Sequence, residues 1–363
     1  MTDANATPVR IREDVLAFPT IVTPPQPQGD KPAFLAANEN PLAPSLEVQQ
    51  IGAAALTAAN RYPDMGTRDL ISEIAHYHQI DPAYVATGAG SSSLLIHALA
   101  MVARPDSQVM FAWRSFEAYP FVTQVVGSRP QMVPLDENGV HDLEAMAAGV
   151  EENTSAVLIC NPNNPTGTTV THAQIERFLT AVDPRVLVIV DEAYIDYATN
   201  EGVSSVLDLV DRFANLLVAR TFSKAFGLAG LRVGYMVGQP GLIRYLRAVC
   251  TPFAVSHVAQ QCAIAMLQRH ESVAEGVSRA VAERTRVLAA LEEIGVQVAP
   301  SQTNFFWLPR TQALGVDPLP AAQIFADAGI AVRAFPEGVR ITLGTAAEND
   351  RALEVMRARR AGN

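Results

Sequence analysis

The sequence predicts an α/β fold, a three-layer and mostly parallel sheet with helices on both faces, joined to a smaller α+β domain. Three observations carry this expectation. From residue 85 onward, short apolar runs alternate with helical patterns, as in a chain that crosses back and forth over one sheet. Several of those runs are apolar on successive residues, which is what strands covered on both faces require. After residue 237 the pattern changes to long helical stretches followed by a few strand-like pieces.

Taken in chain order, residues 1 to about 33 are rich in proline and polar groups and read as an extended arm. Strands are expected at 85–87, 108–112, 131–134, 156–159, 186–190, 216–219 and 233–237, with helices between them at 92–102, 143–148, 171–182 and 206–213. Beyond the change of pattern, helices are expected at 241–247, 257–268 and 271–294, then strands at 305–308, 330–333 and 339–343, with helices at 320–328 and 347–360. The 363 residues exceed what one core usually covers. The expected division is an N-terminal arm at 1–40 that joins the small domain, a large domain at 41–250 and a small C-terminal domain at 251–363.

Composition narrows the function. Hydrophobic residues make up 49% and charged residues 18%, a globular balance. A net charge of −10 argues against nucleic-acid binding, which needs a basic face. Cys160, Cys250 and Cys262 share no metal or redox spacing and fit a reducing compartment. There is neither a signal-like start nor an apolar run of membrane length, so a cytoplasmic protein without membrane attachment is expected.

The chemistry is concentrated in a few segments. In the stretch from Thr221 to Arg232, Lys224 stands alone among small and apolar residues with Arg232 eight positions on. Poor solvation disfavours an ammonium and frees the amine as a nucleophile. A guanidinium is the forked donor that grips a phosphate. A surface lysine with an ordinary ion-pairing arginine fits that stretch about as well, so the other segments decide. The strand at 186–190 runs into Asp191 and Tyr194, at the carboxyl end where open α/β sheets bind ligands. The turn from Asn161 to Gly167 is stiffened by two prolines and offers the Asn164 amide at another strand end. Gly90 and Ser91 open a helix in a loop that lets a backbone approach an anion. The third glycine of a dinucleotide fingerprint is missing there, since Ser93 stands in its place, so one small phosphate suits the loop better than a dinucleotide. Phe116, in the segment Trp113 to Pro120, is an aromatic able to stack on a flat ring, whereas Tyr119 is assigned to core packing. Arg340 is a lone cation in an apolar strand and must meet an anion, and Arg333 raises the same question. The histidines show no metal-site spacing.

In this order, the segments resemble fold-type I aminotransferases dependent on pyridoxal 5'-phosphate, from Ala37-Asn38-Glu39-Asn40-Pro41 to Arg340. The resemblance is closest to the histidinol-phosphate and aromatic amino acid aminotransferase branch, through Ser223-Lys224-Ala225-Phe226-Gly227-Leu228-Ala229-Gly230-Leu231-Arg232-Val233-Gly234-Tyr235. It implies pyridoxal phosphate as cofactor and Lys224 as the Schiff-base lysine that also moves the substrate proton. It further implies Asp191 at the ring nitrogen, Asn164 and Tyr194 at the ring hydroxyl, and Phe116 stacked on the ring. Gly90, Ser91, Thr221, Ser223 and Arg232 would hold the phosphate. Tyr62, in Asn60-Arg61-Tyr62-Pro63-Asp64, matches a tyrosine that reaches the partner subunit's cofactor phosphate, which implies a homodimer with sites at the subunit interface. Arg340 would grip the substrate's acid group, Arg333 would lie near its distal end, Asn38 would contact substrate, and the preceding arm would cover the site.

Two departures bear on the substrate. Many histidinol-phosphate enzymes carry an acidic Asp-Glu pair where this chain has Gly90-Ser91, and the segment Trp113 to Pro120 looks more like the phenylalanine-type enzymes. The expected function is therefore transamination of an aromatic amino acid with a 2-oxo acid such as 2-oxoglutarate. Histidinol-phosphate aminotransferase is the alternative, and a decarboxylase of the same fold is a more distant one. A cofactor-binding regulator would need a DNA-binding domain for which about 35 residues before Asn38 leave no room.

Overall fold

The computed structural model describes residues 9–16, 18, 25–29, 31–312 and 314–361. Part of the arm that the sequence assigns as a cover, residues 1–8, 17, 19–24 and 30, lies outside the described residues. The strands are β1 (Ala33–Phe34), β2 (Val85–Gly88), β3 (Gln108–Trp113), β4 (Arg129–Pro134), β5 (Thr154–Cys160), β6 (Leu187–Asp191), β7 (Leu216–Thr221), β8 (Gly234–Gly238), β9 (Phe305–Pro309), β10 (Ile330–Ala331), β11 (Arg333–Phe335) and β12 (Gly338–Thr342).

Seven of them form one sheet in the order β2-β8-β7-β6-β5-β3-β4. All its pairings are parallel except those of β8, which runs antiparallel to both β2 and β7. Alternation along each strand divides the side chains between two cores. Met110, Val157, Val188 and Val218 pack on one face with Ile74, Met146 and Phe178. Phe111, Leu158, Ile189 and Ala219 pack on the other with Leu95, Tyr119 and Leu246. Strands apolar on every residue are thus explained by a sheet buried on both sides.

A third core holds a three-stranded antiparallel sheet, β11-β12-β9, and a parallel pair, β1 with β10. Phe306, Ile341, Phe325 and Leu353 meet there, together with Ala33 and Leu35 from the beginning of the chain. Helix His257–Gln268 contributes its buried face to the large sheet's core, and the long helix His270–Glu293 runs on to the third.

The elements follow the sequence pattern with three corrections. The helix expected at 206–213 is one 3-10 turn, Leu207–Leu209. Ser205 Oγ and the Val206 N–H donate to the buried Glu192 carboxylate at 2.6 and 2.7 Å, which fixes the start of this segment, and β7 begins at Leu216. The strand expected at 330–333 is two strands, because the buried Val332 is where the chain passes from the β1 pairing to the β12 pairing. Helices Leu46–Ala55, Arg68–His78 and Ala118–Val125 were not anticipated.

The antiparallel β8 matters most for the site. Its N-terminal end lies at the edge where its parallel neighbours have their carboxyl ends, pairing Gly234 with both Gly88 and Thr221. A Cβ at Gly234 would stand 2.6 Å from the Ser91 nitrogen and 3.0 Å from the Arg220 carbonyl oxygen. Gly234→Ala is expected to destabilise the protein by about 1–3 kcal/mol. Because the clash falls on the Gly90-Ser91 turn, it should also weaken pyridoxal phosphate binding. Chemical denaturation and cofactor titration check the two effects.

Candidate active site

Strands β2, β3, β5, β6 and β7 each deliver a side chain to one edge. Ser91 begins a helix just after β2, with Gly90 before it at φ +83°. Phe116 follows β3, Asn164 follows β5, Asp191 ends β6 with Tyr194 just beyond it, and Thr221 ends β7 with Ser223 and Lys224 in the next turn. Arg232 precedes the antiparallel β8 and so reaches the same edge.

Lys224 is half-buried, and its amine donates to the carbonyls of Ala37 and Asn38, both at 3.0 Å. It also lies 5.7 Å from the centroid of the Tyr194 ring. Burial pushes its pKa down to about 7; the Arg340 and Arg232 cations add to this, while Glu39 and Asp191 oppose it. Asp191 is buried, and burial raises its carboxyl to about 6 against two donors, the Tyr119 hydroxyl at 3.1 Å and the Ala193 N–H at 3.3 Å. A buried carboxylate with only these donors can accept a further N–H, such as that of a protonated ring.

Asn38 ties the arm to this centre. Its backbone is left-handed at φ 55°, its side-chain amide donates to Tyr194 Oη at 2.9 Å, and it exchanges hydrogen bonds with Thr342 Oγ1 at 2.9 and 3.1 Å. Asn304 donates to its carbonyl at 3.1 Å. Arg340 is buried and donates to Asn164 Oδ1 and Ala36 O, both at 2.6 Å. Its Nε has no partner, and it has no carboxylate partner among the described residues.

Arg232 is exposed, again left-handed at φ 54°, with Nη1 on Ser223 Oγ at 3.2 Å and Ala229 O at 2.9 Å. A Cβ on Gly90 would lie 2.6 Å from its Nη2. Glycine is thus what allows the guanidinium and the helix start to face one small space. The Thr221 hydroxyl accepts from the Ser223 N–H at 3.1 Å. Hydroxyls, a helix start and a guanidinium with no carboxylate partner among the described residues, gathered around a glycine cradle, form a donor set fit for a phosphate monoester.

Two further expected residues have other neighbours within the chain. Arg333 is engaged by Glu117, Nη2 to Oε2 at 2.7 Å. Tyr62 is 81% exposed, stacked on Phe253 with centroids 4.7 Å apart, and stands outside the cluster within one chain. Phe116 is half-buried and meets Tyr119 edge-on at 5.6 Å. Sequence reasoning assigned Tyr119 to packing alone; its hydroxyl on Asp191 is the part it missed, and an aromatic at helical spacing carries no signal for such a contact. A separate cleft of about 660 Å³ beneath Arg114 and Trp307 includes none of the candidate residues.

The class I and II aminotransferase model matches residues 32–356, which covers the whole of this constellation. The chain belongs to that aminotransferase family. It is similar to the aromatic amino acid aminotransferase of Mycobacteroides abscessus, with 43% identity over 97% of this chain and 99% of the relative. It also resembles the protein of the same name from Thermobifida fusca, at 44% identity over 90% of this chain and 89% of the relative. Among solved structures it resembles histidinol-phosphate aminotransferase from Sinorhizobium meliloti in complex with pyridoxal 5'-phosphate. That likeness has a TM-score of 0.86 and 25% identity over 99% of both chains. Membership of the class I and II aminotransferases implies pyridoxal phosphate as the cofactor. Among the described residues no helix is long and apolar enough to cross a membrane, and no acid, histidine and cysteine cluster suits a metal ion.

An aminotransferase lysine must be neutral to attack an aldehyde. With its pKa lowered to about 7 from 10.5, Lys224 gains that neutral form as pH rises through 7. Capture of pyridoxal phosphate by the apoprotein, followed by absorbance, is expected to accelerate up to about pH 7–8 and then level off. A rate still climbing beyond pH 9 would show an ordinary, solvated lysine.

Proposed function

We propose that this aminotransferase moves the amino group of an aromatic amino acid such as phenylalanine or tyrosine to a 2-oxo acid such as 2-oxoglutarate. The single observation that carries this reading is the buried Arg340 guanidinium with only neutral acceptors and an orphaned Nε. A charge in that state needs an anion from outside the chain, and the acid group of an amino acid supplies one. Aromatic rings flank it, with Phe305 and Phe335 each 5.6 Å from the guanidinium carbon. The names carried by the curated relatives support the aromatic side chain.

In this reading, Lys224 holds pyridoxal phosphate, Asp191 keeps a proton on the ring nitrogen, and Asn164 and Tyr194 address the ring hydroxyl. Phe116 lies against the ring, while Gly90, Ser91, Thr221, Ser223 and Arg232 receive the phosphate. Bound pyridoxal phosphate supplies the electron sink for the pair left when the substrate's Cα–H bond breaks. Lys224, once displaced by the substrate amine, would take the proton from the substrate Cα and deliver it to the cofactor's aldehyde carbon. Asn38 orients Tyr194 and borders the substrate. The exposed Tyr62 supports a homodimer in which it reaches the partner's phosphate site. Residues 41–250 would form the cofactor domain, with 251–363 and the 1–40 arm closing over it in the cytoplasm.

Histidinol phosphate is the second reading, favoured by the cross-strand pairing of Arg333 with Arg340, which puts two cations on neighbouring strands. Comparing rates with phenylalanine, tyrosine and histidinol phosphate decides between them, and a large preference for histidinol phosphate would overturn the aromatic reading.

Borohydride reduction of the holoenzyme is expected to fix the cofactor on Lys224, and Lys224→Ala should lose at least about a thousandfold in rate. A variant that still transaminates sinks the mechanism. Arg340→Ala should raise KM for phenylalanine by about a hundredfold, the scale of losing one partner of a buried charge pair. An unchanged KM removes its role.

A further inference from the structure

Three guanidinium groups converge on the ring of Phe335. Their carbons lie 5.5 Å (Arg114), 5.6 Å (Arg340) and 5.7 Å (Arg333) from its centroid. Like charges gathered on one ring repel unless counter-charges are built in. Two are present. Glu337 accepts from Nε and Nη2 of Arg114 at 3.0 and 2.8 Å, and Glu117 accepts from Nη2 of Arg333 at 2.7 Å. Three cations less two carboxylates leave one positive charge in surplus, and Arg340 carries it, since its acceptors are neutral. Glu117 and Arg333 both act on Arg340. Burial lowers its pKa, the Glu117 carboxylate counters that effect and the Arg333 cation adds to it.

We propose that Glu117 is a specificity-determining residue: by cancelling Arg333 it holds the pocket at one net positive charge, which suits amino and oxo acids with a single carboxylate and an uncharged side chain. This inference rests on Arg340 as the carboxylate-binding residue of the proposed function. A second carboxylate or a phosphate monoester must either displace Glu117 from Arg333 or bring a further charge into half-buried surroundings without a partner, and both are unfavourable. An aromatic side chain makes neither demand. For a dicarboxylic acceptor such as 2-oxoglutarate, the same penalty sets a higher working concentration. Glu117 is well placed for this control. It follows Phe116 on the loop closing β3, while Arg333 pairs across β11 and β12 with Arg340 itself. If the pair only tethered these segments, a task the Arg114–Glu337 pair shares, it would not sort ligands by charge.

Calorimetric titration of the holoenzyme with 3-phenylpropionate and with glutarate tests the idea, because neither ligand has an amino group to react. The wild type is expected to prefer 3-phenylpropionate. Glu117→Gln raises the surplus to two and should shift the affinity ratio toward glutarate by about tenfold, a modest coupling for a close charge pair. Glu117→Asp should keep the wild-type ratio, and Glu117→Gln combined with Arg333→Gln, which restores a surplus of one, should return it. Single-turnover rates with glutamate against phenylalanine should follow the same ratio. A wild type that prefers glutarate overturns the inference without any variant. So does a ratio that Glu117→Gln leaves unmoved, or one that rises equally in the double variant, provided Arg340→Ala still weakens 3-phenylpropionate. Loss of that Arg340 dependence instead overturns the underlying reading of the site.

Discussion

The amine of Lys224 is held by two peptide carbonyls that belong to a distant part of the chain, Ala37 and Asn38. Most of the site depends on this arrangement. The carbonyls hold the amine in place, while burial, with the Arg340 and Arg232 cations, brings its neutral form within reach near neutral pH. The carbonyls are in place only because Asn38 adopts a left-handed backbone, fixed by Thr342, Asn304 and Tyr194. Thr342 in turn ends the strand that carries Arg340. Lys224, Tyr194 and Arg340, to which the proposed function gives the cofactor, its ring hydroxyl and the substrate acid, are therefore coupled through a single asparagine.

Beneath this centre lies a buried polar layer. Arg220 on β7 donates to Glu192 at 3.1 Å and to Asp196 at 2.8 Å, and Glu192 is also held by Ser205 and the Val206 N–H. Removing one member would leave another charged and unpaired in the interior, which is far worse than never having had the pair. The network fixes the segment from Asp191 to Tyr197, and with it the Asp191 and Tyr194 side chains.

Much of this was legible in the sequence because the relevant signals are local. Apolar runs gave the strands of the sheet, and the rule that ligands sit at carboxyl ends put Asp191, Asn164, Phe116 and Lys224 at one edge, where the structure brings them together. Arg340 was readable as a cation in an apolar strand seeking an anion, and it is found without a carboxylate partner among the described residues. What stayed hidden depends on contacts between residues far apart in the chain. The hydroxyl of Tyr119 reaching Asp191 and the pairing of Glu117 with Arg333 join segments whose spacing says nothing about contact. The short turn at Leu207–Leu209 escaped notice because an apolar pattern cannot reveal that Val206 is already committed to Glu192.

The pairing of β1 with β10 has a consequence for how the molecule is made. Ala33 and Phe34 find their strand partners only at Ile330 and Ala331, and Ala33 and Leu35 complete a core built otherwise from the last quarter of the chain. On the ribosome, this early segment emerges long before anything exists for it to join. All seven strands of the large sheet, the last of them β8 ending at Gly238, are made before β10, so that sheet can assemble first during synthesis. The carbonyls that face Lys224, by contrast, sit just beyond β1 and take their final position only when translation is nearly finished. The nascent protein can carry a finished sheet while still lacking a competent lysine. Competence for the cofactor would arrive in one step at the end of synthesis.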